Sequence, residues 1–181
     1  MDPEAEASSP ILEAGSSLQP VVEALGRASE ANLDAKLRPT VRREFPSRAA
    51  IASLVEDLRS VLFPGYFGPA ELTAESLRFQ IGATLDRVLH GLAEQIKRGL
   101  CAACPQEGGP DCLHCDRAPG IARAFIQRLP EVRRVLGTDV QAAFEGDPAA
   151  TSPDEAIFCY PGLLAITSHR LAHELLVLGV P

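Results

Sequence analysis

The chain has 181 residues, 46% of them apolar and 23% charged, with a formal net charge of −7. That length suits one domain with a real core, and that composition is ordinary for a water-exposed globular chain. The acidic balance argues against nucleic acid as a partner, because polyanion binders present a basic face.

Residues 1–46 carry little pattern. Ser8, Ser9, Pro10, Gly15, Ser16, Ser17 and Pro20 cut them into short pieces. The expectation is a weakly ordered segment with at most a short helix near residues 21–25. Arg38, Arg42, Arg43 and Arg48 form a small basic run, read as a solvated helix entrance. The N-terminus is acidic and lacks the basic and apolar regions of a signal peptide. No apolar run approaches the ~20 residues that span a bilayer. These features predict a cytoplasmic protein with no membrane contact.

Helical periodicity starts at residue 47. Ser47 is a plausible N-cap, and Ile51, Leu54, Val55, Leu58 and Leu62 share one face. Pro64 and Gly65 stop this helix, and the aromatic loop FPGYFG (residues 63–68) should be pinned to the core. Thr73 caps a second helix, in which Leu77, Ile81, Leu85, Val88, Leu92 and Ile96 recur at steps of three and four. Gly99 is its expected terminator. After a cysteine-rich loop at residues 100–119, a helix over 120–129 carries Ile121, Phe125 and Leu129. Pro130 then breaks the pattern and opens another helix with Val132, Leu136 and Val140, ended by Gly146. Ser152 and Pro153 open a short turn over 154–159, and Pro161 starts a last helix that ends at Gly179. No useful stretch alternates with period two, so the fold class is all-α. The last helix is apolar nearly all round, which predicts burial from several directions and self-association.

Four of the five cysteines, Cys101, Cys104, Cys112 and Cys115, form C-x2-C-x7-C-x2-C. In a reducing compartment this spacing fits the four thiolates of a structural zinc site. Reduced thiols, an iron–sulfur cluster or a redox pair remain open alternatives. Cys159 reads as a small buried residue. His169 and His173, spaced i, i+4, could form a helical metal pair, although packed histidines suit the pattern better. Asp147 lies between Gly146 and Pro148 and reads, by spacing alone, as a turn former.

Four stretches carry a family resemblance: SRAAIASLVEDLRSVLFPGYFG (residues 47–68), LPEVRRVLGTDVQAAFEGDPAA (129–150), YPGLLAI (160–166) and HRLAHELLVLGVP (169–181). Together they resemble the helical domain, residues 47–181 here, of bacterial serine O-acetyltransferases. The resemblance implies acetyl transfer from acetyl-CoA to L-serine in cysteine biosynthesis. It assigns substrate binding to Asp147, whose D-P-A turn matches the family's. It also implies homo-oligomers assembled through the helical domains. The family's catalytic histidine and acetyl-CoA site lie in a β-helix of six-residue repeats, and no such repeat occurs in these residues. His169 and His173 therefore inherit no catalytic role, no catalytic residue is assigned, and the chain alone is expected to be inactive, as if truncated. A non-enzymatic, zinc-stabilised helical interaction module is the alternative.

Overall fold

A computed structural model describes residues 18–36, 45–69, 71–104 and 115–181. These comprise six α-helices and a short 3-10 turn, with no β-strand among the described residues, as the all-α reading expects. The chain divides into two units, Met1–Thr40 and Val41–Pro181.

The first unit contains α1 (Gln19–Lys36). It is longer than the short helix expected from a weak apolar pattern. Its surface pairs explain part of that length. Gln19 donates to Glu23 at 3.1 Å, and Arg27 lies 3.9 Å from the same carboxylate, both one helical turn apart.

In the second unit, α2 (Arg48–Leu62) begins where Ser47 accepts a hydrogen bond from the Ala50 N–H at 3.3 Å. Ser47 also ties α2 to α3 (Ala74–Ala103), because its own N–H donates to Gln95 Oε1 at 2.7 Å. This contact satisfies a nearly buried amide side chain. Thr73 caps α3 through a reciprocal capping box with Ser76. The expected stop at Gly99 is overrun by four residues. Glycine inside a helix costs about 1 kcal/mol, and Leu100 packs against the core beyond it. Gly91 serves close approach: a Cβ there would meet Leu54 Cδ2 at 3.0 Å.

Helix α4 (Ala118–Gly146) corrects the expectation of two helices, because Pro130 sits inside it. The proline forgoes one backbone hydrogen bond and crowds the preceding turn. Burial outweighs this. Ile121, Phe125, Leu129, Val132, Leu136 and Val140 are all buried, on both sides of Pro130 and in one continuous stripe. Each such side chain contributes roughly 1.5–3 kcal/mol when fully buried.

Two more helices complete the unit, α5 (Pro153–Cys159) and α6 (Pro161–Val177). The core joins Leu54, Leu58 and Leu62 of α2, Val88, Leu92 and Ile96 of α3, the α4 stripe from Ile121 to Leu136 and Leu171 of α6. Two ion pairs reinforce the α4–α6 contact. Arg170 grips Asp139 through two bonds of 2.5 Å, and Arg128 donates to Glu174 at 2.7 Å. Gly179, at φ 81°, closes α6: its N–H donates to Leu176 O at 2.9 Å and that of Val180 to Leu175 O at 3.0 Å. Only Leu163, Thr167 and Leu171 of α6 are buried. Leu164, Ile166, Leu176 and Val177 remain exposed. No described helix is long and apolar enough to cross a membrane.

Candidate substrate site

Asp147 is the C-cap of α4, with an extended backbone that leaves the helix. Pro148 follows and cannot donate to continue the helical ladder. The turn then closes on the aspartate itself. Its Oδ1 accepts from the Ala149 N–H at 2.9 Å, and its carbonyl accepts from the Ala150 N–H at 3.0 Å. This is the side-chain-to-backbone turn that aspartate favours.

The next residues build a support under that turn. Ser152 caps α5 by accepting from the Glu155 N–H at 3.2 Å. Glu155 reaches back to Thr151, accepting from its N–H at 2.8 Å and its hydroxyl at 2.7 Å. Asp154 accepts from the Tyr66 hydroxyl of the aromatic loop. Phe67 of that loop stacks with Phe158 of α5 at 6.4 Å and lies 3.9 Å beneath the Arg59 guanidinium. Phe63 packs against the core. The aromatic loop thus pins α5 as well as itself.

Tyr160, between α5 and α6, donates its hydroxyl to Asp147 Oδ2 at 2.6 Å. This bond, and then the Ala149 N–H, hold the Asp147 carboxyl below the usual aspartate range. Glu155 is lowered by the Thr151 N–H and hydroxyl, while the Asp147 charge pushes it the other way. The phenol of Tyr160 is raised to about 12, chiefly because its proton is shared with Asp147. At neutral pH the turn therefore presents a fixed, ionised carboxylate with a second carboxylate nearby. Such a site suits an ammonium group.

The other expected site residues fall out differently. Cys101 is a half-cystine, so in this oxidised form it is not available as a thiolate and the expected four-thiolate set is not intact. Cys104 is the buried C-cap of α3. Cys115 opens the 3-10 turn Cys115–Arg117, and Cys112 lies outside the described residues. Among the described residues no three His, Cys, Asp or Glu side chains gather as a metal site. The zinc expectation finds no support. Cys159 is exposed rather than buried. His169 and His173 are also exposed, and stack on one another at 6.2 Å instead of packing inside. They border a cleft of about 190 Å³ with Arg170 and Glu174, and a larger groove of about 640 Å³ between α2, α3 and α6. That groove is lined by Ile51, Leu54, Leu92, Ile96, Leu175 and Leu176, among others, and shares no residue with the Asp147 turn. Its apolar walls offer little to a small zwitterion.

The sequence singled out Asp147, as a turn former by its spacing and as a substrate ligand by resemblance, and gave no role to Tyr160 or Glu155. The S-P-D-E run at residues 152–155 was a legible cap signal for Glu155. Nothing in the spacing pointed from Tyr160 to Asp147.

No family model matches the sequence. The plasmid serine acetyltransferase of Synechococcus elongatus is 44% identical over 167 residues, covering 91% of this chain and 52% of that protein. The serine acetyltransferase of Mycobacterium tuberculosis is 60% identical over a shorter stretch of 37 residues. Among solved structures, serine acetyltransferase 1 of Entamoeba histolytica, in complex with L-cysteine, superposes with a TM-score of 0.55 at 26% identity. It covers 92% of this chain and 55% of that one. The chain thus spans about half the length of the relatives it matches. In sequence and in helical fold, it is a homologue of the serine acetyltransferases.

Proposed function

We propose that these residues form the substrate-side and assembly part of an enzyme that transfers acetyl from acetyl-CoA to the hydroxyl of L-serine, a step of cysteine biosynthesis. The observation that carries this reading is the Asp147 carboxylate, ionised and fixed in the D-P-A turn of a serine acetyltransferase homologue. Asp147 holds the serine ammonium and takes no part in bond making. Its contribution is placement, which converts an encounter into an oriented approach of the hydroxyl to the thioester. The base that removes the hydroxyl proton and the groups that bind acetyl-CoA are assigned to residues beyond these 181. The exposed apolar face of α6 and the groove beside it support assembly with further copies.

Steady-state kinetics test the assignment. In a complete acetyltransferase carrying this segment, Asp147→Asn should raise the KM for serine roughly tenfold or more, since a charge-assisted contact is lost. The KM for acetyl-CoA should stay within about twofold, an interval set by ordinary mutational scatter. The 181-residue chain alone should not turn over, because losing a general base typically costs 10²–10⁴-fold and the donor's placement is lost too. Wild-type serine kinetics in Asp147→Asn, or robust turnover by the chain alone, would refute the reading.

A further inference from the structure

The two hydrogen bonds on the Asp147 carboxylate differ in origin. The bond from Ala149 is local, and many aspartates before a turn make its equivalent. The bond from Tyr160 spans 13 residues of chain. It exists because α5 folds back on α4, anchored by Ala156, which has no exposed surface. Tyr160 is itself held at both ends. Its N–H donates to the Ala156 carbonyl at 3.3 Å, and its carbonyl accepts from the Leu163 N–H at 3.0 Å. It thus closes α5 and opens α6 with one extended residue, at φ −81° and ψ 116°. The origin of the ring is set by two helices.

A carboxylate has about four acceptor positions. Ala149 and Tyr160 occupy one on each oxygen, leaving the others for a ligand. The terminal torsion of an unrestrained aspartate is broad and roughly two-fold. With only the Ala149 bond, the carboxylate could rock about that contact. With both, its plane is set before any ligand arrives.

We propose that Tyr160 is a positioning residue for serine: its hydroxyl locks the Asp147 carboxylate so that the unoccupied lone pairs face the incoming ammonium. This rests on the reading of Asp147 as the ammonium ligand. Locking the acceptor beforehand removes an ordering cost from the binding step. The ammonium contact is the same in the bound substrate and in the transition state, so its loss falls on KM and spares kcat. A tyrosine that merely joined α4 to the start of α6 would instead affect stability, with no selective effect on serine.

Two measurements decide it. The first is a kinetic cycle in the complete acetyltransferase with Tyr160→Phe, Asp147→Asn and the double variant. Tyr160→Phe should raise serine KM roughly three- to tenfold, as one hydrogen bond is worth, with kcat and acetyl-CoA KM little changed. The double variant should be no worse than Asp147→Asn alone, because both changes act through one carboxylate. Wild-type serine KM in Tyr160→Phe, beside an impaired Asp147→Asn, overturns the role of Tyr160 and leaves the Asp147 reading standing. An unimpaired Asp147→Asn overturns the Asp147 reading itself. Equal losses in kcat and thermal stability, with KM unmoved, overturn the positioning role in favour of a structural one. The second measurement is an alkaline absorbance titration of the 181-residue chain, which has two tyrosines and no tryptophan. The tyrosine assigned by Tyr160→Phe should ionise near 12 in the wild type and return toward about 10 in Asp147→Asn. An ionisation indifferent to that substitution shows that the bond does not form in solution and overturns the proposal.

Discussion

Tyr160 and Asp147 give the fold a pH signature of their own at the scale of single residues. The phenol is raised from its ordinary value to about 12 in the folded chain, against about 10 unfolded. The bond's contribution to stability is therefore fully present below pH 10, and is lost as pH rises through 12. Asp147 shifts the opposite way: its contribution is present above the ordinary aspartate range and disappears as pH falls through its lowered value. Tyr66 is also raised, by its bond to Asp154, so the alkaline slope is shared between the two phenols. In urea unfolding at stepped pH, the stability gap between wild type and Tyr160→Phe should narrow steadily from pH 10 to 12. A gap that stays constant across that window would show that Tyr160 titrates alike in both states. The caps Ser47, Thr73 and Ser152 were legible beforehand, since each bonds three residues onward and local sequence carries the signal. The Ser47–Gln95 bond, spanning 48 residues, was not.

Helix α4 shows how burial overrides a local rule. Pro130 is exposed at its surface, while the buried stripe continues on the opposite face. Replacing the exposed ring removes little packing and restores the N–H that proline lacks. Pro130→Ala should therefore stabilise the chain by about 1–3 kcal/mol, bounded by the usual cost of an interior proline, as read from the urea midpoint. A destabilised variant would mean that the ring packs usefully. Read from the sequence, a proline inside a periodic pattern marks a break. Only the core's continuity across it makes one helix. The overrun of Gly99 in α3 has the same cause, with Leu100 drawn to the core beyond the glycine. Helix α6 is apolar nearly all round, and within this chain it buries one side only: Leu163, Thr167 and Leu171 are buried, while Leu176 and Val177 are more than half exposed.

Across the whole molecule, those exposed side chains and the α2–α3–α6 groove underlie the proposed self-association. Leu176→Lys should leave unfolding stability nearly unchanged, because the side chain is 65% exposed, and should lower the mass seen by light scattering. A clean wild-type monomer at tens of micromolar, roughly where weak contacts are detected, would count against assembly through this face. The sequence by itself determined the helical class, most of the helix starts, the core stripes and the turn at Asp147. Those features arise from interactions one to four residues apart, or from motifs read in order along the chain. Tertiary structure alone decided that α4 runs unbroken through Pro130, that Cys101 is held in a disulfide, and that Tyr160 meets Asp147. Each depends on which distant surfaces pack together, and hydrophobic burial, which is non-directional and summed over the whole core, sets that outcome.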